Sequence, residues 1–184
     1  MEKKKININV NNIKITFNSG IITNIYSHIT NSNNNFYGFL LGQFAIIKNI
    51  SVSDLNNNQE SNILFINIEN AIFIYDKKYL QSEKFCYLLE KVAKKYSNES
   101  VLGFFSARAY SFPNISLKEQ EVYLKSISYI KANSKSYPNH SIPFLFASFV
   151  QNVSELNMDN NIPMISFMSR VYSFNESKYV ISIN

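Results

Sequence analysis

Apolar residues recur along this chain with two periods, and the switches between them divide it into elements. Ile6, Ile8 and Val10, then Ile13, Ile15 and Phe17, alternate with polar residues around an Asn11-Asn12 break, which predicts a first strand. Ser19-Gly20 marks a helix start, and Ile21, Ile25 and Ile29 fall on one stripe, so a helix is predicted to about Thr30. Phe36-Tyr37-Gly38-Phe39-Leu40-Leu41-Gly42 is a continuous apolar run, the pattern of a strand covered on both faces. Phe44 to Val52 and Ile63 to Tyr75 read as two more strands, separated by a polar loop from Asp54 to Ser61. From Ser82, a predicted N-cap, the residues Phe85, Leu88, Leu89, Val92 and Tyr96 return to helical spacing, with Lys91, Lys94 and Lys95 suited to the C-terminal end of the helix dipole.

Val101 to Phe105 is a short buried strand in which Gly103 leaves room for a close neighbour. A polar loop containing Pro113-Asn114 follows, and a helix begins at Ser116, carries Tyr123, Leu124, Ile127 and Ile130, and fades near Ala132. Ile142 to Val150, Pro163 to Phe174 and Lys178 to Ile183 are strand-like. The order β-α-β-β-β-α-β-α-β-β-β predicts an α+β domain, a mixed sheet flanked by helices, over residues 13–184, preceded by a basic segment at 1–12. No internal repeat or Gly-rich phosphate loop interrupts this reading.

Composition narrows the class. A chain of 184 residues with 46% apolar and 17% charged residues is long enough for one sizeable core. The net charge of +5 is partly a solvated tail at Lys3-Lys4-Lys5, and no basic stripe is interleaved with aromatics, so nucleic acid is not an expected partner. Asn runs at 33–35 and 56–58 read as loop filler. The single cysteine, Cys86, excludes an internal disulfide framework and reads as a thiol on an apolar helix face in a reducing compartment. Without a bilayer-spanning run or an apolar signal region, no membrane is expected, and the protein is expected in the cytoplasm, the nucleus or both. His28 on the first helix and His140 in a loop have no metal-site spacing to each other or to Cys86.

The stretch from Val101 to Ile127 resembles the strand, loop and helix of the MPN/JAMM fold. Active members, the zinc deubiquitinases, carry His-x-His after a Gly-aromatic-aromatic strand and Ser-x-x-Asp after a gap of seven residues. The two His and the Asp hold zinc, the Ser helps to stabilise the oxyanion, and a Glu on an earlier strand activates the zinc-bound water. Here the two His positions fall on Ser106 and Arg108, the Ser and Asp positions on Ser116 and Glu119, and the Glu position on Asn35, three residues before Gly38. A guanidinium cannot ligate zinc, and an amide is no general base near neutral pH. Ser116 and Glu119 have a sufficient structural reading as a helix capping box. The resemblance therefore implies a fold kept and a site emptied: no catalysis, no zinc and no other cofactor.

Among inactive members, the Abraxas family is the most similar. It has Arg at the second His position and a helix opening with Ser or Thr, and Gly38, Gly42 and Gly103 also match. Phe104 stands where a Trp is usual and Ala109 where a second basic residue is common, and relatives of this branch continue into a coiled coil beyond the point where this sequence ends. The resemblance implies a scaffold in a BRISC-like complex that pairs with an active JAMM deubiquitinase and meets polyubiquitin through that complex. It also points to the helix from Ser82 to Tyr96 as the contact element; Tyr79, Cys86 and Tyr87 lie off its sheet-facing stripe and read either as an apolar contact strip or as filling of the helix–sheet margin. The alternatives are an inactive MPN subunit of the proteasome lid, the signalosome or an initiation-factor complex, and an enzyme with zinc ligands relocated among His28, His140 and Cys86.

Overall fold

The computed structural model describes residues 13–32, 34–51, 59–76, 81–96, 98–109, 111–112, 114–133, 143–154, 164–174 and 180–183. In chain order these form β1 (Ile13–Phe17), α1 (Ser19–Ser32), β2 (Phe36–Ser51), β3 (Gln59–Ile74), α2 (Ser82–Lys95), β4 (Ser100–Ala109), α3 (Leu117–Ala132), β5 (Leu145–Ser154), β6 (Met164–Phe174) and β7 (Val180–Ile183). The strands make one mixed sheet in the order β1-β3-β2-β4-β5-β6-β7. β1 runs parallel to β3, and β4 parallel to β5, the second pair being joined across α3; every other pairing is antiparallel. The domain is thus α+β, a mixed sheet flanked by helices, as the hydrophobic pattern predicts. No helix among the described residues is long and apolar enough to cross a membrane.

The sheet separates two cores. On one face α1 lays Ile21, Ile25 and Ile29 onto Phe36, Leu40, Leu64, Ile66, Phe105, Ala107 and Phe149. On the other, Phe85, Leu89 and Val92 of α2 and Val122, Tyr123 and Ile130 of α3 pack on Phe39, Phe104 and Phe146. On α1 and α2 the stripes read from the sequence face the sheet, because a 3.6-residue period leaves only one side of a helix to do so; on α3 Tyr123 and Ile130 do, but Val122 and Ser126, and not Leu124, complete the buried side.

Several boundaries differ from the sequence reading; β3 begins at Gln59, inside the stretch read as a polar loop, and β5 runs from Leu145 to Ser154 in place of Ile142 to Val150. Phe36–Gly42 and Phe44–Val52 do not form separate strands; β2 runs from Phe36 to Ser51, with a bulge against β3 between Leu41 and Gly42. Gly42 has no Cβ to collide with the Asn67 carbonyl, so the irregularity bends the ladder without ending it. β4 continues to Ala109, through residues polar enough to suggest a loop, because it pairs with β2 as far as Ala107 on one side and with β5 as far as Ala109 on the other. The N-cap of α2 is Gln81, in extended conformation and without a side-chain cap, so Ser82 is the first helical residue; Glu83 supplies the negative charge of the first turn. Gly103 does sit where a neighbour closes in, with the Leu145 carbonyl occupying the space of a Cβ. The readings at 1–12, Asn33, 52–58, Tyr79, Pro113, His140, Ile142, Pro163 and 178–179 lie outside the described residues.

Candidate functional site

Alternation along β4 sends Phe105 and Ala107 to the α1 side and Phe104 to the α2–α3 side. Ser106 and Arg108 continue the Phe104 row, so the row turns from aromatic to polar as it approaches the start of α3. β5 does the same: Phe144 and Phe146 lie in the α2–α3 core, and the next residue of that row is Ser148, the register partner of Ser106. Two apolar rows therefore end side by side in two buried serines, with a guanidinium just beyond them.

Arg108 is the hub. Its Nη2 group donates to the carbonyl of Phe112 at 3.1 Å, the carbonyl of Asn114 at 2.5 Å and Ser148 Oγ at 3.0 Å. Its Nη1 lies 3.7 Å from Glu119 Oε2, an ion pair in which the carboxylate side chain is only 2% exposed. That same oxygen accepts the Ser116 backbone N–H at 2.7 Å, and the Glu119 N–H donates to Ser116 Oγ at 3.3 Å. The predicted capping box is therefore present on α3. The ion pair adds a function that the motif alone does not show: the cap is tied to the strand that precedes the loop. A buried carboxylate of this kind is tolerated only because its lone pairs and charge are both met.

A second arginine completes the cluster. Arg170 on β6, the register partner of Ser148, donates from Nη1 to Asn114 Oδ1 at 3.2 Å. Asn114 is thus held by one arginine at its main chain and by another at its side chain. Tyr37 joins from β2, where its register partner is Ser106. Burial first, and then the Glu119 carboxylate, push its phenol above the usual tyrosine range, against an opposing pull from Arg108. Asn35, partly buried, directly precedes Phe36, whose partner is Ala107, and so lies at the same end of the sheet. Among the described residues, Ser106 Oγ and Arg108 Nε are buried without a hydrogen-bond partner.

All five positions singled out in the sequence thus lie at this end of the sheet, and four of them (Ser106, Arg108, Ser116 and Glu119) belong to one strand–loop–helix. Arg170, Ser148 and Tyr37 escaped sequence reading because each comes from a separate strand and only the strand register unites them, whereas Asn114, read there only as a loop marker, belongs to the same strand–loop–helix and is tied in by both arginines. The row shared by Arg170 and Tyr172 was the one local signal.

The chemistry open to this arrangement is restricted. Among the described residues neither serine has an imidazole beside it, and Glu119 is committed to Arg108 and to the helix cap. A guanidinium offers no lone pair to a metal and repels a cation at its centre. Among the described residues, no three His, Cys, Asp or Glu side chains gather as metal ligands. His28 lies on the α1 side, its ring 4.8 Å from that of Phe73 and its Nδ1 3.3 Å from Tyr75 Oη. Cys86 lies on α2, across the sheet from it.

Cys86 is partly buried and close to α3; burial pushes its thiol up, and Lys125 pulls it the other way. Tyr87, next along α2, is 59% exposed, with Lys91 Nζ 4.5 Å from the centre of its ring. No protein-family model matches the sequence, and no curated protein matches it either.

Proposed function

We propose that this chain is a non-catalytic subunit on the MPN/JAMM fold, which pairs with an active JAMM zinc deubiquitinase as the Abraxas-like scaffolds do. The observation that carries the reading is Arg108. At the position where an active member places its second zinc-binding His, a guanidinium is fastened to two loop carbonyls, a serine and the helix-cap glutamate. The residue that replaces the ligand thereby turns the metal-site loop into a structural joint. Asn35 and Ser106, at two of the other altered positions, lie at the same end of the sheet, in keeping with the loss of the general base and of the first imidazole.

In this reading the domain offers surface in place of chemistry, and it meets polyubiquitin only through its partner. The outer side of α2 remains the proposed contact, centred on Tyr87, which is exposed; Cys86 is turned in part toward α3 and contributes less. Affinity purification of the tagged chain with mass spectrometry is the test. Co-purification of a JAMM zinc enzyme, lost in Tyr87→Glu at an unchanged melting temperature, supports the proposal. Stoichiometric zinc in the isolated chain, with ubiquitin-chain cleavage abolished by a chelator, overturns it.

A further inference from the structure

We infer that Phe112, Leu117 and Lys118, together with Arg170, form a docking surface for an acidic protein segment bearing apolar side chains. The inference rests on the geometry of these residues alone and not on the MPN reading. Phe112 and Leu117 are the most exposed large hydrophobic side chains among the described residues, at 74% and 86%. Single apolar residues at a surface are ordinary. Here two of them flank one rigid anchor: the carbonyls of Phe112 and Asn114 both sit on the Arg108 guanidinium, and Leu117 is the first residue of the helix whose cap sits on the same group through Glu119.

A nearly buried guanidinium is an expensive way to hold a surface loop, since an ion pair of this kind often gives no net stability over an apolar replacement. What it does provide is a held position for the Phe112 and Asn114 carbonyls, with two hydrophobic side chains out in solvent beside them. A surface ordered in advance loses little entropy on binding, and exposed aromatic and arginine side chains together are the composition of interface centres.

Charge selects the partner. Arg170 and Lys118 are exposed beside the loop. The acidic groups of α3's first two turns are already matched, Glu119 by Arg108 and Glu121 by Lys125 at 2.7 Å. The patch is thus cationic and apolar, complementary to a segment that alternates Asp or Glu with Leu, Ile or Phe. A second copy of this chain would bring its own Arg170 and Lys118 against these.

The test is selection of random dodecapeptides displayed on phage against the whole chain, with the Phe112→Ser/Leu117→Ser double variant as counter-selection. Enriched sequences should combine acidic and large apolar residues. Their affinity should fall by about tenfold or more in the double variant and in Arg170→Glu, and weaken with salt, while the melting temperatures of both variants stay unchanged. Enrichment of peptides without acidic residues, no enrichment, or binding indifferent to these substitutions overturns the inference. Two other outcomes overturn it by reassigning the patch. One is a concentration-dependent dimer in sedimentation that the double variant abolishes. The other is partition onto phosphatidylserine-containing vesicles that depends on Phe112 and Leu117.

Discussion

β4 has two faces built from alternate residues of one strand, and they are different materials. Toward α1 it presents Phe105 and Ala107, fully buried in a core of Ile and Phe. Toward α3 it presents Phe104, then a buried serine, then a guanidinium that holds the next loop. The first face needs only volume and shape, and many apolar sets would fill it. The second depends on atoms in named positions, since the Arg108 Nη groups, Ser148 Oγ and the Glu119 carboxylate each meet particular partners. In this protein, specificity accumulates at the end of the strand where the apolar row stops, which is also where the parallel pair β4–β5 is bridged by α3.

The largest expected effect is on the hydrocarbon face. Phe105 is fully buried, and its ring stands edge-on to Phe36, Phe73 and Phe149 at centroid separations of 6.2, 5.8 and 5.9 Å. Phe105→Ala should cost about 3–5 kcal/mol in urea unfolding, from lost burial together with the cavity left behind. A cost under about 1 kcal/mol would mean that the face collapses around the gap, and the contrast between a packed face and a positioned one would fail.

On the positioned face, Arg108→Ala should cost less, about 2–3 kcal/mol, because the Glu119 it abandons keeps its bond to the Ser116 amide. The sharper measurement is a double-mutant cycle with Glu119→Gln. If the ion pair couples strand to cap, the double variant should be more stable than the sum of the single costs implies, by about 1 kcal/mol. Strict additivity would reduce Arg108 to its loop carbonyls.

Much of both faces could be read in the sequence, for different reasons. Ile21, Ile25 and Ile29, and Phe85, Leu89 and Val92, are buried as their spacing demands, because helical period is a local property that packing seldom overrides. The capping box was legible too, being a four-residue pattern with one geometry. What could not be read was the continuation of β4 through Ser106–Ala109. Its pairing with β5 depends on contacts some forty residues apart, and no local composition encodes them. The single long β2 was hidden similarly: Gly42 looks like a break, and only the bulge against β3 makes it a bend. The arginine hub was half legible, since Arg108 stands out in a motif, whereas Arg170 is merely one charge in a strand until the register brings it to Asn114.

A smaller effect isolates the cap from the hub. In Ser116→Ala the Glu119 amide loses its acceptor while the Arg108–Glu119 pair remains, so the cost should be about 1 kcal/mol. Partner association, once the chain is folded, should be unchanged. A variant of normal stability that no longer associates would mean that Ser116 touches the partner directly.

The smallest effect lies away from both faces of β4, in the seam between α2 and α3, and tests whether exposed charge contributes at all. Glu90 accepts from Lys94 Nζ at 2.6 Å through one oxygen and from Tyr129 Oη at 3.0 Å through the other, so one carboxylate spans the two helices. The hydrogen bond from Lys94, and next that from Tyr129, hold its carboxyl below the ordinary glutamate range. A folded-state pKa below the unfolded one means that the unfolded chain binds this proton more readily. The contribution is therefore complete above the unfolded pKa and is lost as the pH falls through the folded one. Glu90→Gln should then melt slightly below the parent at pH 7, and the gap should close as the pH falls below the ordinary glutamate range and narrow in high salt, as it does for solvent-screened pairs. A gap that persists unchanged in acid would show that Tyr129 is held across the seam by packing, with the charge on Glu90 irrelevant to the joint between the two helices.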